Sequence, residues 1–239
     1  MYNDFTELMN FYKEKNIVFS PEPWGKTDKI NEKVINFHNW DEITKEFQEK
    51  EYVVIDNFLI PEFAVRLKNF VIYSNFRSKS WNDYGGLDFL KPNHWFPLLT
   101  NIVEEMSEIT LFKNLEFQRV WAFICNNKGT GVAVHADPAC INANLWVAAD
   151  ESVINPERNG LILWNVKSPP DWTHQEYNGS LFKCKKFLAE NNAKPILINH
   201  KFNRITIFNS AYFHETAGVE MKDGYENRRI NYTFLFGKR

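Results

Sequence analysis

A histidine and an aspartate stand two residues apart in the middle of the chain, as His135-Ala136-Asp137. Side chains two residues apart in a β-strand point to the same face. If this segment is extended, His135 and Asp137 can offer an imidazole nitrogen and a carboxylate oxygen to one metal ion. Residues 129–134 (GTGVAV) read as a glycine turn followed by a short apolar strand. The sequence therefore predicts two ligands of a metal site here.

A third ligand is expected far downstream, at His214. Residues 204–216 (RITIFNSAYFHET) predict a strand, a brief turn and a second short strand that carries this histidine. His174 and His200 are the competing candidates, but both lie in polar, loop-like stretches without a strand pattern. Two histidines and one carboxylate on one face of a metal leave coordination positions open, as in non-haem Fe(II) oxygenases.

A strand-like segment with a basic residue follows the distal histidine, at residues 227–236 (NRRINYTFLF). Alternation puts its apolar residues on one face and Arg229, Asn231 and Thr233 on the other. An arginine that faces into a barrel is costly unless it meets an anion, and a guanidinium matches a carboxylate with two parallel hydrogen bonds. We therefore expect Arg229 to hold a dicarboxylate cosubstrate, with pairing to an internal Asp or Glu as the alternative. Arg228 would point away, as a surface charge.

Two further segments predict strands near this site, at residues 117–125 and 141–148. In the second segment, Asn142 and Asn144 alternate with apolar residues. This pattern suggests a polar pocket inside a barrel. The alternative is that both asparagines face solvent.

Taken in order, these segments resemble the 2-oxoglutarate- and Fe(II)-dependent oxygenases, in the style of the prolyl-4-hydroxylase-like branch. The resemblance covers about residues 50 to 237 and rests on the motifs GTGVAVHAD, NGLILW, RITIFNSAYFHE and RRINYTF, with YVVIDNFL at its N-terminal side. It implies metal-ligand roles for His135, Asp137 and His214, and a cosubstrate clamp at Arg229.

The resemblance implies an enzyme that uses Fe(II), 2-oxoglutarate and dioxygen to hydroxylate a substrate, with no catalytic residue beyond the metal ligands. The substrate would be a peptidyl side chain, such as prolyl, or a small metabolite. Where the family often has a tyrosine that helps to hold 2-oxoglutarate, this chain has Cys125-Asn126-Asn127. Asn144 and Asn231 are the candidates for that contact. The alternatives are a non-oxidative, cupin-like metal-binding protein and a catalytically silent binding module.

The expected fold class is mainly β with flanking helices: a double-stranded β-helix (jelly roll, cupin-like) buttressed by N-terminal helices. At 239 residues the chain fits a single domain over residues 1–239. About 1–110 would be helical support with one strand, and about 111–239 the double-stranded β-helix. Periodicity predicts helices at 4–15, 41–49, 61–74, 96–108 and 180–191.

Residues 166–195 are predicted to be a long insertion between barrel strands. Long ordered insertions are often lids or binding loops, so we expect this one to cover the barrel mouth. Its Trp172, His174 and Tyr177 are candidate substrate contacts. The aromatic residues between about 76 and 95 fit either a substrate entrance or core packing.

Composition narrows the choice of partners. A formal charge of −2 gives no electrostatic case for nucleic acid. The three cysteines lack a CxxC spacing, which predicts reduced thiols rather than disulfides or a zinc site. The first residues have no signal-peptide pattern and no segment has the apolar length of a membrane span. We expect a cytoplasmic protein without a membrane partner.

Overall fold

The fold is built from antiparallel strands in two main sheets, with helices on the outer sides. The computed structural model describes residues 30–73, 79–80, 84–89 and 97–239. The helix expected at 4–15 and most of the aromatic segment at 76–95 lie outside this range. The described helices are α1 (Trp40–Lys50), α2 (Pro61–Tyr73), α3 (Pro97–Glu108), α4 (His174–Tyr177) and α5 (Leu181–Glu190).

Seven strands form the large sheet, in the order β1-β9-β6-β12-β4-β3-β2. A three-stranded sheet has the order β10-β7-β8, and β11 pairs with β5 alone. The strands are β1 (Tyr52–Ile55), β2 (Lys79–Ser80), β3 (Tyr84–Phe89), β4 (Phe117–Cys125), β5 (Lys128–Gly129), β6 (Ile141–Trp146), β7 (Leu161–Lys167), β8 (Pro195–Ile198), β9 (Arg204–Asn209), β10 (Tyr212–Thr216), β11 (Val219–Glu220) and β12 (Ile230–Phe236).

One face of the large sheet packs against helices. On β12, Tyr232 and Phe234 are fully buried in the same apolar cluster as Ala143 and Leu145 of β6. Leu67 of α2 belongs to this cluster, and its carbonyl accepts a 2.9 Å hydrogen bond from the Tyr232 hydroxyl. Helix α3 adds an apolar stripe at three- and four-residue spacing, from Leu98 to Met106. The helices therefore cover the outer face and leave the inner face to the pocket.

The inner face of the large sheet meets the small sheet. Trp146 of β6 and Phe208 of β9 pack with Leu161 and Leu163 of β7 and Ile198 of β8. Because side chains alternate along a strand, the neighbours of these residues on the same inner face are the polar ones predicted for the pocket. The two sheets thus enclose a barrel interior that is apolar at one end and polar at the other.

The segment that leads to His135 differs from its prediction. Residues 130–134 form no regular strand, and His135 makes only an isolated bridge to His214. Gly131 has a φ of +68°, a left-handed conformation that favours glycine. Thr216 lies against it, and its backbone N–H donates to the Val132 carbonyl at 2.9 Å. The left-handed turn at Gly131 interrupts strand pairing, so residues 130–134 form no regular strand.

The insertion at 166–195 lies between β7 and β8, which pair directly. Its first residues extend β7 to Lys167, and α4 and α5 occupy most of the rest. Helix α5 begins after Ser180, whose hydroxyl accepts a 3.4 Å hydrogen bond from the Lys183 backbone N–H. In the described parts of the chain, no helix is both long and apolar enough to span a membrane.

Candidate metal centre and its pocket

His135, Asp137 and His214 come together in the structure. Each offers one donor atom, and these atoms lie within 4.8 Å of one another. The Nε2 atom of His135 is 3.8 Å from one Asp137 oxygen, and the Nε2 atom of His214 is 3.4 Å from the other. Two backbone hydrogen bonds join the histidines directly, with N–O distances of 3.0 and 2.8 Å. The fold thus brings His135 and His214, which are almost 80 positions apart in the sequence, into direct contact.

Both imidazole rings are oriented by the backbone two residues before them. Nδ1 of His135 is 2.7 Å from the Ala133 carbonyl, and Nδ1 of His214 is 3.1 Å from the Tyr212 carbonyl. A carbonyl oxygen only accepts, so each Nδ1 carries the hydrogen and donates it. In the neutral form of each ring the lone pair is then on Nε2, the atom that faces the cluster. This pattern is typical of metal-binding histidines.

The protonation states favour metal binding. Burial, and then the nearby His214, lower the pKa of His135 to about 4, so its ring is neutral near pH 7. Burial acts to raise the pKa of Asp137, but its contacts with His214, His135 and Asn142 lower this pKa overall. Asp137 is therefore a carboxylate although it is only 1% exposed.

Two amide side chains hold the Asp137 carboxylate. Asn142 Nδ2 donates to its Oδ2 at 2.5 Å, and Asn178 Nδ2 lies 3.5 Å from its Oδ1. The Asp137 backbone N–H donates to the carbonyl of Ser210 at 3.1 Å. The carboxylate is thus fixed from both sides, with its orientation set before any ion binds.

Arg229 lines the same pocket as the three candidate ligands. Its side chain is buried, and its Nη1 donates to Asn231 Oδ1 at 2.7 Å. Nε donates to the Asn159 carbonyl at 3.0 Å, and Nη2 lies 3.5 Å from the Gly160 carbonyl. Nη1 also lies 3.8 Å from the Cys125 sulfur. No carboxylate among the described residues contacts this guanidinium, so the internal ion pair weighed as an alternative is not observed there.

Arg228 differs from its prediction. It does point away from the pocket, but it is only 4% exposed rather than a surface charge. Its guanidinium carbon lies 4.9 Å from the ring centroid of Tyr225. Tyr225 belongs to the 217–227 loop, which contains β11 and a 3₁₀ turn over Tyr225–Asn227.

The asparagines of β6 face the barrel interior. Asn142 and Asn144 are 0% and 6% exposed, so the alternative that they face solvent is wrong. Asn144 and Asn231 both line the pocket. Their carboxamides are already engaged, since Asn231 Nδ2 donates to Asn144 Oδ1 at 3.1 Å and Asn144 Nδ2 donates to Asn142 at 2.7 Å. Asn144 keeps one amide hydrogen free of these bonds.

Sequence reasoning missed part of the pocket wall. Trp121 and Phe123 of β4 line it, as do Glu215 and Thr216 of β10. The signal for the aromatic pair was available, because alternation along β4 places Trp121, Phe123 and Cys125 on one face. The ring centroids of Trp121 and Phe123 are 5.9 Å apart, in an edge-to-face arrangement.

The three candidate substrate contacts of the insertion do not line this pocket. Trp172 packs against Phe187 and Phe213, with centroid distances of 5.0 and 6.1 Å. Tyr177 is buried in the same cluster, and His174 is exposed beside it. Their role as substrate contacts, and that of the insertion as a cover of the barrel mouth, stays a prediction. Cys184, Phe187 and Leu188 of α5 pack in one apolar cluster with Trp164 and Phe213 of the small sheet and with Val134 and Ala136 of the His135 segment.

The insertion instead supports the metal-ligand segment. The Ala136 backbone N–H donates to the Tyr177 carbonyl at 2.9 Å. Asn178 Nδ2 donates to the Ala136 carbonyl at 2.8 Å. Ala136 stands between the two predicted ligands, so these bonds fix the segment where strand pairing does not. His200, the other competing histidine, lies outside the cluster and contacts the Ala148 carbonyl at 3.0 Å through Nε2.

Comparison with solved structures identifies the fold. The epimerase SnoN, in complex with Fe³⁺, alpha ketoglutarate and nogalamycin RO, matches with a TM-score of 0.62 at 10% identity, over 83% of each chain. A prolyl hydroxylase from Trichoplax adhaerens, in complex with a hypoxia inducible factor peptide fragment, matches with a TM-score of 0.54 at 12% identity, over 82% of this chain and 88% of that one.

A prolyl-4-hydroxylase from Pseudomonas putida matches with a TM-score of 0.52 at 11% identity, over 84% of this chain and 99% of that one. The sequence matches no protein-family model and no curated protein sequence. The predicted fold class, mainly β with a jelly-roll core, is confirmed: the chain shares the fold of 2-oxoglutarate- and iron-dependent oxygenases.

Proposed function

We propose that this protein is an Fe(II)- and 2-oxoglutarate-dependent dioxygenase that hydroxylates a peptidyl side chain, such as prolyl, or a small metabolite. One observation carries the proposal: a buried arginine, with no acidic contact among the described residues, shares its pocket with a two-histidine, one-carboxylate cluster. Either feature alone has simpler explanations. Together they match a metal and an anionic cosubstrate that bind side by side.

The cluster fits a divalent metal by its donor set. His135 and His214 present Nε2 lone pairs, and Asp137 presents a carboxylate, which leaves further positions open on the ion. When bound there, Fe(II) with dioxygen supplies oxidising power that side chains lack. The balance is one substrate C–H bond, dioxygen and 2-oxoglutarate giving C–OH, succinate and carbon dioxide.

Arg229 would hold the distal carboxylate of 2-oxoglutarate. An uncompensated guanidinium in a buried site is unfavourable, and a carboxylate can relieve that cost with two charge-assisted hydrogen bonds. Asn144 and Asn231 lie on the same wall and remain our candidates for the contact that a tyrosine makes in relatives. Asn144 has the free amide hydrogen for it.

The alternatives explain less of the site. A non-oxidative, cupin-like protein needs the metal ligands but has no use for the buried Arg229. A catalytically silent binding module needs neither. The substrate stays open between two classes, because one structural neighbour was solved with a peptide and another with nogalamycin RO.

The test is 2-oxoglutarate turnover by the purified protein with Fe(II) and dioxygen, followed as succinate. We expect slow turnover alone and faster turnover with a true substrate, found by screening peptide and small-molecule libraries. Asp137→Ala and His214→Ala should each lower turnover by about a hundredfold or more, since they remove metal ligands. His174→Ala is the control and should retain the turnover that the wild type shows without substrate, because His174 lies outside this pocket. Absence of both 2-oxoglutarate binding and turnover in the wild type would refute the proposal.

A further inference from the structure

Three buried carboxamides join the arginine of the pocket to the carboxylate of the metal cluster. Arg229 Nη1 donates to Asn231 Oδ1 at 2.7 Å, and Asn231 Nδ2 donates to Asn144 Oδ1 at 3.1 Å. Asn144 Nδ2 donates to Asn142 Oδ1 at 2.7 Å, and Asn142 Nδ2 donates to Asp137 Oδ2 at 2.5 Å. We call Asn231, Asn144 and Asn142 the amide relay. All five residues are 6% exposed or less.

The direction of the relay is forced from both ends. A guanidinium only donates, so Asn231 must turn its oxygen to Arg229 and its nitrogen onward. A carboxylate only accepts, so Asn142 must turn its nitrogen to Asp137 and its oxygen back. Both requirements give Asn144 the same orientation. Every amide dipole therefore points the same way between a fixed cation and a fixed anion.

Regular strand geometry holds the relay in place. Asn142 and Asn144 are two residues apart on β6 and share its inner face. On β12, Thr233 lies directly opposite Asn144, which makes Asn231 its diagonal neighbour. The Thr233 hydroxyl donates to Asn144 Oδ1 at 3.0 Å as a side branch. The links are thus set by central strands of the large sheet.

We infer that the amide relay couples Arg229 to the metal site and that its three asparagines are positioning residues for Asp137. The inference deepens the proposed function and rests on it. Hydrogen bonds in a chain polarise one another, and a buried amide that loses its partner is free to turn. A break at Asn231 or Asn144 therefore loosens Asn142, which holds the carboxylate. Metal affinity should depend on residues that do not touch the metal.

The test measures Ni²⁺ binding to metal-free protein by calorimetry, without cosubstrate. Asn144→Leu and Asn231→Leu should each weaken Ni²⁺ binding by about tenfold, the lower end of the effect of outer residues on metal sites. Thr206→Val is the matched control, because Thr206 lies opposite Asn144 on β9 and its buried hydroxyl has no hydrogen-bond partner among the described residues. It should change the Ni²⁺ Kd by less than about twofold. Thr233→Val removes the side branch and the 3.4 Å contact between Asn231 Nδ2 and the Thr233 hydroxyl, leaves the links of the relay itself in place, and should behave similarly.

A double variant separates a relay from independent packing effects. If the amides act as a unit, Asn144→Leu with Asn231→Leu should be about as weak as either single variant, whereas independent effects would multiply to about a hundredfold. Asn231→Ser replaces Asn231→Leu if the latter does not fold, as judged by circular dichroism.

The results of these binding experiments distinguish the inference about the amide relay from the proposed function. Wild-type binding of Ni²⁺ and 2-oxoglutarate, with unchanged Ni²⁺ affinity in the relay variants, would overturn the inference and leave the proposed function standing. A wild type that binds neither would refute the proposed function and the inference with it.

Discussion

The two walls of the pocket position their polar groups by different means. On the wall from the large sheet, Asn144 and Asn231 stand in paired strands and Arg229 directly precedes β12. On the opposite wall, His135 lies on irregular chain and is joined to His214 by a single bridge. The first wall is a regular surface whose side chains follow the pleat. The second depends on individual bonds from distant parts of the chain.

This difference predicts where each wall is sensitive. Substitution on the large-sheet wall should change ligand binding through the side chain itself. The metal-ligand wall should also respond to residues behind it, because the insertion holds the backbone of Ala136 through Tyr177 and Asn178. Three experiments test this comparison.

The largest effect is expected on the large-sheet wall, at Arg229. Arg229→Gln should weaken 2-oxoglutarate binding by about a hundredfold, because two charge-assisted hydrogen bonds contribute about 1.5 kcal/mol or more each. The measurement is calorimetric titration of Ni²⁺-loaded protein with 2-oxoglutarate. Arg228→Gln is the neighbouring control. It should lower the thermal midpoint, since Arg228 is buried, and leave the 2-oxoglutarate Kd unchanged. The reverse result would show that the two side chains have exchanged roles.

A smaller effect is expected at His200, near the buried charge of Arg229. Burial, and then Arg229, lower the pKa of His200 to about 4, below its ordinary value of 6.5. The unfolded chain therefore binds a proton between these pH values that the folded chain excludes. Stability is fully present above about pH 6.5 and declines as pH falls towards 4.

Urea unfolding of metal-free protein at pH 7 and pH 5 measures this effect. Between pH 7 and pH 5, the free energy of unfolding should fall by about 1 to 2 kcal/mol less in His200→Gln than in the wild type. Part of the loss remains, because the pKa of His135 is lowered in the same direction. His174→Gln, at an exposed position, is the control. If the free energy of unfolding falls as much in His200→Gln as in the wild type, His200 lies in a solvated environment.

The smallest effect is expected behind the metal-ligand wall, at Asn178. Asn178→Ala removes the hydrogen bond to the Ala136 carbonyl and the 3.5 Å contact with Asp137 Oδ1. It should weaken Ni²⁺ binding by about threefold, because the ligand segment is held less firmly. Asn191→Ala is the matched control, since its amide donates to the Phe187 carbonyl at 2.8 Å, on the exposed end of α5. Equal Ni²⁺ affinities in both variants would make the insertion a packing element without influence on the site.

Local periodicity explains what could be predicted. The alternation along β12 separates Arg229 and Asn231 from Tyr232 and Phe234, and the structure shows the same two faces. The helices expected at 41–49 and 96–108 correspond to α1 and α3. A period of two or of 3.6 residues is written in neighbouring side chains, so it can be read without knowing their distant partners.

Three features had no such local signal. Arg228 is buried beside Tyr225 of the 217–227 loop, and Trp172 packs, half-buried, against Phe187 of α5 and Phe213 of the small sheet. The His135 segment is held by Tyr177 rather than by a strand neighbour. Each depends on which remote segment comes to lie alongside, and that is decided when the whole core packs.

The sequence by itself therefore determined the donor types and spacing of His135, Asp137, His214 and Arg229, and the face on which Arg229 lies. Only the tertiary structure decided that these groups meet in one pocket and that Asn231, Asn144 and Asn142 connect them. The physical reason is range. Strand alternation acts between adjacent residues, whereas a hydrogen-bonded chain across two strands requires a register that is set by packing of both sheets.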